Sequence, residues 1–96
     1  MPYYVVLANW TEQGVRSVKE SPGRAEAFRK AVAKEGGKVL TFLFTMGPHD
    51  IVATLELPSD EAANRLALQT ARLGNVRTTT LKGWDESEFA RLAASV

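Results

Sequence analysis

The fold is decided by the stretch KVLTFLFTMGPHDIVATLEL, residues 38–57. Two β-branched and aromatic runs, residues 38–46 and 50–57, are separated by a glycine–proline turn signal. Strand residues alternate between faces. The second run therefore places on one face Ile51, Ala53, Leu55 and Leu57, and on the other Asp50, Val52, Thr54 and Glu56. This pattern predicts a β-hairpin with one face buried under helices.

Two further strands and three helices are predicted around this hairpin. Residues 3–10 and 76–82 have strand composition. A helix is predicted from Ser21, as the N-cap before Pro22, to the glycines at 36–37. Pro58-Ser59 and Gly74 bound a second helix, and an Asp85–Glu88 capping box starts a short last one. The order β-α-β-β-α-β plus a terminal helix predicts an α+β, ferredoxin-like sandwich with helices on one face of an antiparallel sheet.

Length and composition limit the class of protein. Residues 1–96 suffice for one domain with a modest core. A net charge of +1 gives no basic surface, so no nucleic-acid partner is expected. With no cysteine and one histidine, neither a metal site nor a cofactor is expected. No apolar run approaches the roughly 18 residues of a membrane helix, and the N-terminus has no signal-peptide pattern, so we expect a cytoplasmic protein without membrane contact.

The sheet face turned away from the helices is informative. Where one face of a sheet lies in water, its strands should alternate cleanly between apolar and polar residues. Here the first strand is apolar on both faces, and the second strand is predicted to direct to this face Val39, Thr41, Leu43 and Thr45. Because a half-apolar face of this size is unfavourable on a monomer, we predict a homodimer that packs sheet to sheet.

A small-molecule site is predicted on the same face. The candidate ligand-binding residues are His49, Asp50, Thr41, Thr54, Glu56 and Arg77. The fourth strand directs inward either Arg77 and Thr79 or Thr78 and Thr80, and three consecutive threonines leave this open. An inward Arg77 could pair with Glu56, whose carboxylate would otherwise be neutralised by burial. Equally, these threonines are explained by their strand propensity alone.

His49 and Asp50 admit two interpretations. A catalytic dyad requires the turn to bend them together, since neighbouring strand residues point to opposite faces. Histidine could then act as an acid or a base near neutral pH. In the structural interpretation, Asp50 accepts backbone N–H bonds in the turn. No catalytic residue is assigned. The polar loop of residues 11–20, with its basic side chains and Arg24, is a candidate lid for an anionic ligand.

Several segments resemble the GYD family, named for a Gly-Tyr-Asp motif at the hairpin before the third strand. The matching segments are TEQGVRSVKESPGR (11–24), Gly36-Gly37, MGPHDIVATLELPSD (46–60) and LGNVRTTTL (73–81). The resemblance implies the dimeric α/β-barrel superfamily, in which two ferredoxin-like sheets form a barrel across the dimer. Gly47 and Asp50 match the motif, whereas His49 stands where the family usually has tyrosine, which puts in doubt any step that needs a tyrosine hydroxyl.

These observations predict a non-catalytic dimeric barrel that binds a small, partly apolar molecule or forms an assembly. The alternative is a cofactor-independent monooxygenase or isomerase acting in the barrel cavity, as some relatives in the wider superfamily do. A purely structural oligomer is a third interpretation, and it predicts a barrel filled by its own side chains. The ligand interpretation requires a cavity of at least about 300 Å³.

Overall fold

The β-branched and aromatic segments form four strands. In a computed structural model, which describes all 96 residues, the strands make one antiparallel sheet in the order β2-β3-β1-β4. Their bounds are Tyr3–Trp10 for β1, Lys38–Phe44 for β2, Ile51–Glu56 for β3 and Val76–Gly83 for β4. The predicted ferredoxin-like α+β fold is confirmed.

Two of the predicted helices pack against one side of the sheet, and the third comes after the last strand. Their bounds are Ser21–Lys34 for α2, Asp60–Arg72 for α3 and Glu86–Ala94 for α4. The start of α3 is capped by Ser59, whose Oγ accepts a hydrogen bond of 3.1 Å from the backbone N–H of Ala62. The predicted capping box of Asp85 and Glu88 forms at the start of α4.

The segment between β1 and α2 is folded, so the prediction of a polar loop at residues 11–20 was wrong. It contains a short helix, α1 (Glu12–Arg16), and a 3₁₀ helix, Val18–Glu20. The Thr11 hydroxyl caps α1 by accepting from the N–H of Gly14 at 3.1 Å. A threonine before Glu12, three residues ahead of Gly14, was the sequence sign of this helix.

The 3₁₀ helix also changes the start of α2. It runs directly into α2, so Glu20 occupies the N-cap position and Ser21 lies inside the first turn. The backbone N–H of Ser21 already bonds to Val18 O. The predicted N-cap role of Ser21 was therefore wrong, because the 3₁₀ helix moves the N-cap position to Glu20 and the Ser21 Oγ accepts no backbone N–H.

The core lies between the sheet and one half of the helix layer. Its most completely buried side chains are Leu55 in β3, Leu57 just after β3 and Val32 in α2. Around them pack Tyr4, Val6, Ala53, Ala63 and Leu66. Burial of the predicted apolar face of β3 confirms that this side of the sheet faces the helices.

A β-bulge interrupts edge strand β2. Val39 lies opposite Leu55 and Thr41 opposite Thr54, so Leu40 is the extra residue. Val39 consequently turns to the helix side, where it packs against the core. The expectation that Val39 faces the open side was wrong, because strict alternation ends at the bulge.

Candidate functional site

The open face of the sheet presents four rows of side chains. Two uncharged rows cross its centre: Leu43, Val52, Leu7 and Thr79, and then Thr41, Thr54, Val5 and Leu81. The rows at the two ends carry the polar and charged groups: Thr45, Asp50, Asn9 and Arg77 at one end, and Lys38, Glu56, Tyr3 and Gly83 at the other. We call the two central rows the apolar band.

Two of the candidate ligand residues are neighbours in this band. The hydroxyls of Thr41 and Thr54 share a hydrogen bond of 2.6 Å across the β2–β3 pair. The ambiguity in β4 is also resolved: Arg77 and Thr79 face the open side, while Thr78 and Thr80 line cavities on the helix side. The hydroxyls of Thr41 and Thr54 are thus satisfied by each other.

Arg77 and Glu56 do not form the pair that was considered for them. Arg77 lies opposite Asn9, whereas Glu56 lies opposite Tyr3 and Lys38. These positions are at opposite ends of the sheet, about 20 Å apart along the strands. Within one chain, that pairing was wrong because β3 and β4 are each antiparallel to β1 and so run parallel to one another, which puts the end of β3 and the start of β4 at opposite ends of the sheet.

Asp50 anchors the hairpin turn to β1. Its carboxylate Oδ2 accepts a hydrogen bond of 3.0 Å from the backbone N–H of Trp10. Its own backbone N–H donates to Ala8 O at 2.8 Å. Asp50 therefore accepts a backbone N–H bond, as the structural interpretation predicted, but the donor belongs to β1 instead of the turn.

His49 bonds to a different partner. Its ring Nδ1 lies 3.1 Å from Asn9 Oδ1, and the Asn9 side-chain nitrogen donates to Pro48 O at 2.7 Å. Because that second bond orients the Asn9 amide, its oxygen faces the ring and Nδ1 carries the proton. His49 and Asp50 share no side-chain hydrogen bond, so the dyad is not formed in this chain.

An apolar cavity lies on the other side of the sheet, between the sheet and helices α2 and α3. It measures about 170 Å³. Its walls are mainly apolar and include the rings of Trp10, Phe28, Phe42 and Phe44. None of the candidate ligand residues lines it. The sequence sign that could have located it is the series of alanines on α2, because small helical residues facing aromatic strand residues leave space between the layers.

A buried tyrosine ties α3 to β1. The Tyr4 hydroxyl donates to Asp60 Oδ1 at 2.5 Å, and Lys82 Nζ lies 3.0 Å from the same carboxylate. Burial and this hydrogen bond raise the pKa of Tyr4 to about 12. The bond from Tyr4, followed by that from Lys82, lowers the pKa of Asp60. This cluster fixes the first turn of α3 above the sheet.

Comparison with known proteins agrees with this architecture. The profile of the GYD domain matches residues 4–93. The chain belongs to the GYD domain family. A relative from Thermus thermophilus, 28% identical over 83 residues and matched over 85% of this chain and 87% of its own, is named glutamine synthetase and cystathionine beta-lyase binding protein.

A solved structure is similar to this GYD-domain protein as well. The crystal structure of TTHA0845 from Thermus thermophilus superposes with a TM-score of 0.57 at 26% sequence identity. The match covers 88% of this chain and 94% of the other. The ferredoxin-like arrangement is thus shared with a protein of similar length.

Two features of the structure bear on metal ions and membranes. No three His, Asp or Glu side chains come together in a way that could hold a metal ion. None of the helices combines the length and the apolar character needed to cross a bilayer.

Proposed function

We propose that this protein is a non-catalytic binding protein that works as a homodimer joined through the open face of the sheet. The observation that carries the proposal is the apolar band. Its rows hold valine, leucine and threonine without charge, while charged residues stand only in the end rows. An uncharged centre within a polar rim is the usual arrangement of a protein interface.

Helix α4 supports the same assembly. It has nine residues, and none of them is buried. Its apolar side chains Phe89 and Leu92, and Trp84 just before it, are exposed. A helix of this length is only marginally stable alone in water. We therefore expect its apolar side chains to pack against another surface. In our proposal a second copy supplies that surface.

The area available also requires α4 to take part. The sheet has four strands about 4.8 Å apart, and its rows of side chains span about 23 Å along the strands. Seen from above, its open face therefore covers roughly 450 Å². Stable interfaces cover about 800 Å² on each partner. The remaining area is supplied by the side chains, which add surface beyond the flat projection, and by the exposed apolar stripe of α4. Thr41 and Thr54 become interface residues in this arrangement.

The comparison supports a role in holding other proteins. A relative at 28% identity is named for binding two enzymes, glutamine synthetase and cystathionine beta-lyase. We extend that class of role to this chain, with the sheet faces used between copies and the outer helical surfaces left for a partner protein.

The self-association is tested with two matched leucines. Leu43 in the apolar band and Leu68 on α3 are each 60% exposed. We expect sedimentation velocity to show a dimer for the wild type and for Leu68→Lys, but a monomer for Leu43→Lys, because a lysine in the band would be desolvated on association. A monomeric wild type at high micromolar concentration, or an unaffected Leu43→Lys, would contradict the proposal.

The partner role is tested by biolayer interferometry with purified glutamine synthetase and cystathionine beta-lyase from the same organism. We expect saturable binding of at least one of them to the immobilised dimer. Binding of neither enzyme would remove this part of the proposal and leave the self-association standing on its own test.

A further inference from the structure

We propose that the cavity between the sheet and helices α2 and α3 is a binding site for a small aromatic carboxylate. The site lies on the opposite side of the sheet from the apolar band, and this inference does not rest on the proposed function. It depends on the size of the cavity, on a buried serine hydroxyl and on an arginine at its edge.

The size of the cavity suits one six-membered ring. Its volume of about 170 Å³ is below the about 300 Å³ of an ordinary small-molecule pocket, but it is close to that of a cavity of about 150 Å³ that admits benzene. The space exists because Ala8 on β1 and Ala25 and Ala31 on α2 have small side chains. The cavity is not lined by the most completely buried core side chains, Leu55, Leu57 and Val32.

The lining favours an aromatic ligand. Four aromatic side chains contribute to the walls; Phe42 makes an edge contact with Phe44 at a centroid distance of 5.3 Å and a tilted contact with Phe28 at 6.1 Å. Offset and edge-to-face arrangements of this kind accommodate a further ring favourably. An aliphatic ligand of equal volume would lack these contacts.

Ser21 supplies a polar group that has no partner in the protein. It is 7% exposed, it lines the cavity, and its Oγ makes no hydrogen bond. A buried hydroxyl without a partner costs about 1–3 kcal/mol. The hydroxyl is spare because the 3₁₀ helix before α2 removes its capping role. A ligand oxygen within the cavity would satisfy it.

Arg24 favours an anionic oxygen. Its Nη2 donates to the backbone oxygens of Gly14 at 3.1 Å and Ser17 at 2.5 Å. Arg24 is one of the residues that line the cavity, its Nη2 is fixed by these two carbonyls, and Nε and Nη1 have no acceptor in the protein. No aspartate or glutamate lines the cavity. A carboxylate is the acceptor that matches an arginine fork and a serine hydroxyl together.

The probe is benzoate, titrated at pH 7 into ¹⁵N-labelled protein and followed by NMR shift changes and calorimetry. We expect saturable shifts in β1, α2 and the end of α3. Acetate, which lacks the ring, should not bind at the same concentrations, and benzyl alcohol, which lacks the charge, should bind at least about fivefold more weakly. Absence of saturable shifts with benzoate would overturn the proposal, as would equal binding of acetate.

Two substitutions localise the site. Ser21→Ala should weaken benzoate binding about fivefold, the loss of one hydrogen bond, and yet raise Tm, because it removes an unsatisfied buried group. The matched control Ser59→Ala removes a satisfied N-cap, so it should lower Tm and leave the affinity unchanged. Identical behaviour of both serine variants would contradict the role of Ser21.

The second substitution fills the space. Ala25→Leu places a larger side chain within the cavity and should abolish benzoate binding in a folded protein. Wild-type affinity in a folded Ala25→Leu variant would place benzoate elsewhere and overturn the proposal. Leu43→Lys should bind benzoate like the wild type, so failure of the cavity site and failure of the dimer proposal are distinguishable.

Discussion

Asp50 connects the hairpin turn to β1 through both its backbone and its side chain. Removing the carboxylate leaves the N–H of Trp10 without its acceptor. We expect Asp50→Ala to lower the free energy of unfolding by about 2 kcal/mol, the usual value for a hydrogen bond to a charged group. His49→Ala, which loses one neutral bond to Asn9, should cost under about 1 kcal/mol.

Urea unfolding of the two variants checks this expectation. The two residues are adjacent and both are partly exposed, so each serves as the control for the other. Equal losses, or a larger loss for His49→Ala, would show that the histidine holds the turn instead.

At this scale the sequence predicts which face a side chain occupies better than which partner it meets. Alternation placed Thr54 and Glu56 on the open face, and the register confirms it. The partner of Asp50 could not be predicted, since it depends on where β1 passes the turn. The separation of Arg77 from Glu56 follows from the strand order, in which β1 lies between β3 and β4.

Close backbone approach positions the short helix α1. A Cβ built on Gly14 would lie 1.9 Å from Asn75 O, whereas one on Gly23, in the first turn of α2, meets nothing within 4 Å. We expect Gly14→Ala to destabilise the protein by about 3 kcal/mol through displaced backbone. Gly23→Ala should stabilise it by about 0.5–1 kcal/mol, because alanine is the better helix former.

Thermal and urea denaturation of the Gly14→Ala and Gly23→Ala variants measures both the expected loss and the expected gain of stability. A Gly14→Ala variant as stable as the wild type would mean that α1 moves away from Asn75 at little cost. In that case the guanidinium of Arg24, held by carbonyls of the same segment, should also lose its fixed position.

Local capping rules predicted two helix starts correctly and one incorrectly. Ser59 and Asp85 cap α3 and α4, and each has extended backbone itself. Ser21 has the same Ser-Pro appearance as a cap, but a 3₁₀ helix precedes it. A cap is needed only where no earlier turn satisfies the first N–H groups, and the residues at 18–20 carry no strong sign of such a turn.

The molecule as a whole is more extended than its length requires. The radius of gyration is 14.3 Å, and the longest axis measures 48 Å. A compact domain of this length would have a radius near 12.5 Å. Helix α4 has no buried residue, and one face of the sheet is uncovered. In our proposal a second copy of the chain covers both.

The bulge at Leu40 has a consequence for solubility. Strand β2 lies at the edge of the sheet, and its sequence KVLTFLF has the β-propensity and low charge of fibril-forming segments. A regular edge would offer another chain a continuous row of free N–H and C=O groups, and the bulge interrupts that row. We expect deletion of Leu40 to straighten β2 and to yield thioflavin-positive fibrils from protein that otherwise stays clear. The irregular pairing of β2 thus keeps this aggregation-prone strand from pairing with the same strand of another molecule.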